Sequence, residues 1–174
     1  LNVDECGAPE KIVGCKLIPI KSQNGKFDFN QLNNTIFRRG DQHYSQIKML
    51  SFTQPTAYGE LYTFDEIKYL RDFCDQHQLF LHMDGARLAN AMAALKSTWT
   101  ELCQDVDILS MGGGKNGFML GEMVILRSPH IKKDLKFLRK QSLQLPSKTR
   151  FMAAPFIHYL SRGLWKEIAE HENS

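Results

Sequence analysis

Two residues of this chain could do chemistry together. Asp84 ends a short apolar run, LFLHMD from Leu79, and Lys115 stands in a glycine-rich loop, GGGKNG, after a second such run. An acid and an amine, each on the loop end of a strand, are what pyridoxal phosphate asks of a protein. The amine forms an imine with the aldehyde, and the acid keeps the pyridine nitrogen protonated so that the ring accepts electrons. Plainer roles stand beside these. Asp84 in Asp-Gly-Ala can cap a helix that starts at Ala86. Lys115 can be an exposed turn residue or a point charge for a phosphate, although Asn116 replaces the Ser or Thr of a P-loop. Arg87 suits bidentate capture of a carboxylate, or a surface ion pair. His82 alternates with Asp84 and so shares its strand face; a hydrogen-bonded core histidine is the expectation, a support for the site the alternative.

Alternating strand and helix signals must position these groups. Cys15–Ile20 (CKLIPI) reads as a strand closed by Asn24-Gly25. Asp28 can cap a helix through Phe37, with Gln31 at capping-box spacing. Ile47–Thr53 reads as a strand. Thr63 and Glu66 form a second capping box, after which Ile67, Leu70, Phe73 and Cys74 share one helix face. Leu79–Met83 shows little polar alternation, as in a strand buried on both faces. Ala86–Leu95 reads as helix, and Thr98–Glu101 as another helix start. Asp107–Met111 and Glu122–Leu126 are strands only ten residues apart, too few for a helical crossover, so this pair should be antiparallel. Ser128-Pro129 marks a further start, with Ile131, Leu135 and Leu138 as its apolar stripe. From Thr149 onward the chain reads as helical. The pattern predicts an α/β layer fold with a mostly parallel sheet flanked by helices, whose loops gather at the carboxyl ends of the strands.

The bulk numbers narrow the classes. A chain of 174 residues with 43% hydrophobic and 24% charged residues suits one soluble globular domain. A net charge of +3 gives no case for nucleic acid. Lys132, Lys133, Lys136, Arg139 and Lys140 surround the apolar stripe and read as a solvated helix face. No apolar run approaches the roughly 20 residues needed to span a bilayer. The opening LNVDECG lacks the pattern of a signal peptide and begins in mid-element, which suggests a piece of a longer polypeptide. Cys6, Cys15, Cys74 and Cys103 have no zinc spacing, so no metal is expected, and reduced cysteines fit a cytoplasmic location.

HMDGAR at His82–Arg87 and SMGGGKNG at Ser110–Gly117 together resemble the threonine aldolase family, pyridoxal-phosphate enzymes of the aspartate-aminotransferase fold class and the β-eliminating lyase group. DECGAPE at Asp4–Glu10 is similar to that family's Glu-x-Gly-Ala segment, and SFTQPTAYGELY at Ser51–Tyr62 to the strand and loop before its acid-bearing strand. The resemblance implies that residues 1–174 are the central part of a cofactor-binding large domain. It implies an N-terminal phosphate-binding segment and a stacking histidine upstream of Leu1. A second arginine and a small domain would lie beyond Ser174. Lys115 corresponds to the catalytic Schiff-base lysine, Asp84 to the partner of the pyridine nitrogen and Arg87 to a substrate-carboxylate ligand. The implied reaction is retro-aldol cleavage of an L-β-hydroxy-α-amino acid, such as L-threonine or L-allo-threonine, to glycine and an aldehyde. The implied assembly is a homo-oligomer, dimer or tetramer. Alternatives are a lyase of the tryptophanase or tyrosine phenol-lyase kind, and a non-catalytic remnant.

Overall fold

Thr63 begins the first crossover helix with a complete capping box. Glu66 N–H donates to the Thr63 hydroxyl at 3.2 Å, and Thr63 N–H donates to the Glu66 carboxylate at 2.7 Å. Thr98 and Glu101 repeat the device, so both helix starts follow from local chemistry. The computed structural model describes residues 2–131 and 134–174. Its first part holds α1 (Ala8–Val13), the short strands β1 (Ser22–Gln23) and β2 (Lys26–Phe27), and α2 (Phe29–Thr35). The strand–helix units follow as β3 (Met49–Thr53), α3 (Phe64–Gln76), β4 (Phe80–Asp84), α4 (Leu88–Leu95), α5 (Trp99–Cys103), β5 (Ile108–Gly112) and β6 (Glu122–Leu126). Three helices complete the chain: α6 (Leu135–Gln141), α7 (Arg150–Ser161) and α8 (Leu164–Glu172).

The main sheet runs β3-β4-β5-β6. The first three strands are parallel and β6 returns antiparallel, as the short glycine loop requires. Both crossovers step the same way across the sheet, and right-handed connections then bring their helices to one face. There Leu50, Phe52, Leu81, Met83 and Leu109 pack against Ile67, Leu70 and Phe73 of α3 and against Leu88 and Met92 of α4. Full burial of Leu81 or Met83 contributes about 2 kcal/mol each. The other face is set by strand alternation and carries the polar residues. β4 therefore alternates between buried and half-buried positions, and the expectation of burial on both faces does not hold.

Other expectations also fail in part. Cys15–Ile20 forms no strand; Pro19 lacks an N–H, and Leu17 N–H donates to a Glu10 side-chain oxygen at 2.9 Å instead of to a neighbour in a sheet. The Asn24-Gly25 signal does make a hairpin, between β1 and β2, with left-handed φ of 51° and 81°. α2 ends at Thr35 rather than Phe37, and Asp28 caps it by accepting from Asn30 N–H, without a Gln31 box. Pro129–Ile131 is a single 3-10 turn. Leu135 and Leu138, 39% and 54% exposed, do not bury their stripe. Of the five basic residues around it, Lys132 and Lys133 lie outside the described residues. Among the described residues no helix is long and apolar enough to cross a membrane.

Candidate active site

The polar face of the sheet gathers its groups by strand register. Ser51 pairs with His82, Thr53 with Asp84, Asp84 with Ser110, and Gly112 with Glu122. In a pleated sheet these positions share one face. His82 bridges three strands there: its Nδ1 lies 2.8 Å from Ser51 Oγ and its Nε2 3.2 Å from Ser110 Oγ. Burial pushes the ring towards its neutral form, against the pull of Asp84. The expected core histidine is thus half right. Its hydrogen bonds are satisfied, but it lies on the site face beside Asp84.

Asp84 sits at the carboxyl end of β4, half-buried. Its Oδ1 accepts from Ala86 N–H at 3.1 Å, closing a turn; it caps no helix, because α4 begins at Leu88 with Arg87 at its N-cap. One oxygen suffices for that bond. The carboxylate keeps a second oxygen for another partner.

Lys115 is exposed, at the outer turn of the β5–β6 loop. Among the described residues its ammonium forms no side-chain ion pair. The three glycines before it differ in what surrounds them. A methyl on Gly112 would stand 3.0 Å from Glu122 Oε2, and one on Gly113 would meet Phe118 and the Gly121 carbonyl; Gly114 has nothing within 4 Å. Glu122 therefore lays its carboxylate across the Gly112 backbone. Burial pushes that carboxyl up, the charge of Asp84 pushes the same way, and Lys115 pulls it down. Asp84 and Glu122 share one face of the sheet by register, and Lys115 stands in the loop at the same end.

Arg87 follows one turn after Asp84 and is exposed. It lines a cleft of about 720 Å³ with Pro55, Thr56, Asn90, Glu170 and Asn173. Neither Asp84 nor Lys115 lines that cleft. The acid and the amine thus stand at the ends of paired neighbouring strands, and the arginine lines a separate hollow.

The family model for beta-eliminating lyases matches residues 1–174. This chain belongs to the beta-eliminating lyase family. It is 38% identical over 176 residues to a low specificity L-threonine aldolase of Pseudomonas sp. (strain NCIMB 10558), covering 99% of this chain and 51% of that protein. A low-specificity L-threonine aldolase of Candida albicans is 29% identical over 171 residues, covering 96% of this chain and 45% of that protein. Among solved structures, a threonine aldolase of Leishmania major matches with a TM-score of 0.90 at 26% identity, covering 97% of this chain and 50% of that one. The chain spans about half the length of the relatives it matches.

Two residues near Lys115 along the chain carry little signal in the sequence. Glu122 carried no signal beyond its place at a strand start. Asn116 drew notice only as the wrong residue for a P-loop. Its burial, at 2% exposure in a loop of exposed neighbours, comes from a packing partner on α7 that no local pattern reveals.

Proposed function

We propose that this chain is the lysine-bearing part of a pyridoxal-phosphate-dependent aldehyde-lyase. The reaction is cleavage of an L-β-hydroxy-α-amino acid, with L-threonine or L-allo-threonine as the substrate class, to glycine and an aldehyde. The observation that carries this reading is the placement of Asp84 at the carboxyl end of β4 and of Lys115 in the loop after the paired strand β5, in a chain 38% identical to a protein named as an L-threonine aldolase.

The residues present fit the cofactor. A carboxylate with an oxygen to spare stands at the end of β4, and an exposed amine stands on the adjoining loop. When bound, pyridoxal phosphate supplies an electron sink for the carbanion left as the substrate's carbon–carbon bond breaks. Lys115 offers the amine nucleophile that a carbonyl cofactor needs. Asp84 would hold a proton on the cofactor's ring nitrogen by ion pairing, and its bond to Ala86 N–H fixes the direction of the carboxylate. His82, neutral and tied to two serines, adds no positive charge to compete for Asp84. Arg87 offers a two-pronged donor to a substrate carboxylate from the first turn after Asp84. In this reading the working enzyme is a cytoplasmic homo-oligomer. The exposed apolar side chains of Phe151, Ile157 and Leu160 on α7 support burial against further protein.

The test is to incubate the chain with pyridoxal phosphate, reduce with borohydride and map the labelled peptide. The expected result is the cofactor's mass on Lys115, with the long-wavelength absorbance lost in Lys115→Ala. Labelling spread over surface lysines, or an unchanged spectrum in Lys115→Ala, overturns the reading. Glycine release from L-threonine, measured on the same preparation, checks the reaction class.

A further inference from the structure

Asn116 stands next to Lys115 and is buried while the lysine is exposed. Its carboxamide makes three hydrogen bonds, with both donors and one acceptor position in use. The Nδ2 donates to the Gly112 carbonyl at the exit of β5 and, at 3.3 Å, to the Ala86 carbonyl in the turn after Asp84. Its Oδ1 accepts from the Tyr159 hydroxyl of α7 at 2.8 Å. Tyr159 is fully buried, and burial pushes its phenol up, so it remains a donor.

An amide has a donor end and an acceptor end. Backbone carbonyls only accept, so they decide which way round the group sits, and the Tyr159 hydroxyl, able to donate or accept, donates to the oxygen. Two carbonyls, from two different segments, then face the nitrogen. The backbone reinforces the link: Asn116 N–H donates to the Gly113 carbonyl at 2.9 Å, and Gly85 N–H donates to the Ser110 carbonyl at 2.8 Å. Ala86, which takes the side-chain bond, also gives its own N–H to the Asp84 carboxylate. One side chain thus joins the loop that carries the amine to the turn that carries the acid.

We propose that Asn116 is a positioning residue whose carboxamide, held at its oxygen by Tyr159, sets where the Lys115 loop sits against the Asp84–Ala86 turn. The inference rests on the reading of Lys115 and Asp84 as the cofactor-holding pair, but the tie itself can be measured without cofactor. A Gln at this position would push the amide one methylene too far for both carbonyls. An Asp would present oxygen to oxygen. Only the length and polarity of Asn meet all three partners.

The experiment compares parent, Asn116→Ala and Tyr159→Phe in the full chain by amide hydrogen exchange, first without and then with pyridoxal phosphate. Exchange should rise on the order of tenfold, the scale of one net hydrogen bond, in both the 84–88 and 112–118 segments of Asn116→Ala. α3 should be unchanged. Tyr159→Phe should show the same paired pattern, more weakly, and it decides the matter if Asn116→Ala does not fold. With cofactor, both variants should label Lys115 at least tenfold less efficiently at limiting pyridoxal phosphate, and Asn116→Ala the less of the two. A rise confined to the lysine loop, or spread evenly over the chain, overturns the inference. So does a paired rise with unchanged labelling of Lys115. A parent that takes up no cofactor on Lys115 while the paired exchange persists overturns the functional reading alone and leaves the tie intact.

Discussion

Substituting Gly113 tests whether the lysine loop is shaped by close packing or merely by flexible glycines. A methyl added there would collide with the Phe118 ring and stand 2.8 Å from the Gly121 carbonyl. Neither neighbour can yield cheaply. The Gly121 oxygen already accepts from Gly113 N–H at 2.8 Å, and the Gly113 carbonyl accepts from Asn116 and Phe118 N–H at 2.9 and 3.1 Å. The Phe118 ring is held edge-on to Phe156 and Tyr159, with centroids 4.7 and 5.0 Å away. Overpacking costs roughly 1–3 kcal/mol, and a clash against bonded backbone and a wedged ring belongs at the upper end. Gly113→Ala should therefore lose about 3 kcal/mol, about a hundredfold in the folding equilibrium. Gly114→Ala is the control. A methyl there meets nothing within 4 Å, and its backbone is not left-handed, so it should gain about 0.4–1 kcal/mol by restricting the unfolded chain. Urea unfolding followed by fluorescence of Trp99 and Trp165, whose rings lie 5.3 Å apart, reads both variants. Equal losses in the two, or a change in Gly113→Ala within about 0.5 kcal/mol of the parent, would refute the packing explanation.

Two further perturbations probe the electrostatics. Glu122 has a carboxyl raised chiefly by burial and next by Asp84. A raised acid binds protons more tightly folded than unfolded, so its ionisation costs stability above its folded pKa and nothing below its unfolded one. Glu122→Gln should thus match or exceed the parent near neutral pH, and the difference should vanish on acidification below about pH 4; a larger advantage in acid would reverse the sign and defeat the assignment. At the opposite end of the sheet, Asp107 Oδ2 accepts from Arg71 at 2.7 Å and from Leu81 N–H at 2.8 Å. Asp107→Ala leaves a strand N–H and a guanidinium short of a partner and should cost about 2 kcal/mol. Asp107→Asn, which keeps an acceptor, should lose less, and unfolding midpoints that rank the two the other way would count against the bond as drawn.

Much of this architecture is legible in the sequence. Capping boxes at Thr63 and Thr98 are read from residues three apart and depend only on local chain geometry. The buried face of α3 follows from helical period, and the antiparallel return of β6 from the length of its loop. The acid and the amine were legible for the same reason, because each stands at a strand end marked by an apolar run. Where reading failed, it failed on non-local terms. Cys15–Ile20 has strand-like residues but no strand beside it. Leu135 and Leu138 repeat as a buried stripe would, and find no core.

The amino-acid order by itself determined which segments coil into helices, which extend, and which two reactive groups end their strands, since those choices act over a few neighbouring residues. Tertiary structure alone decided the rest. Strand register aligned Ser51, His82, Asp84 and Ser110, packing trapped Gly113, and a tyrosine from α7, distant in sequence, bonded the amide of Asn116. Those relations join residues tens of positions apart, and contact between them arises only when the chain closes on itself.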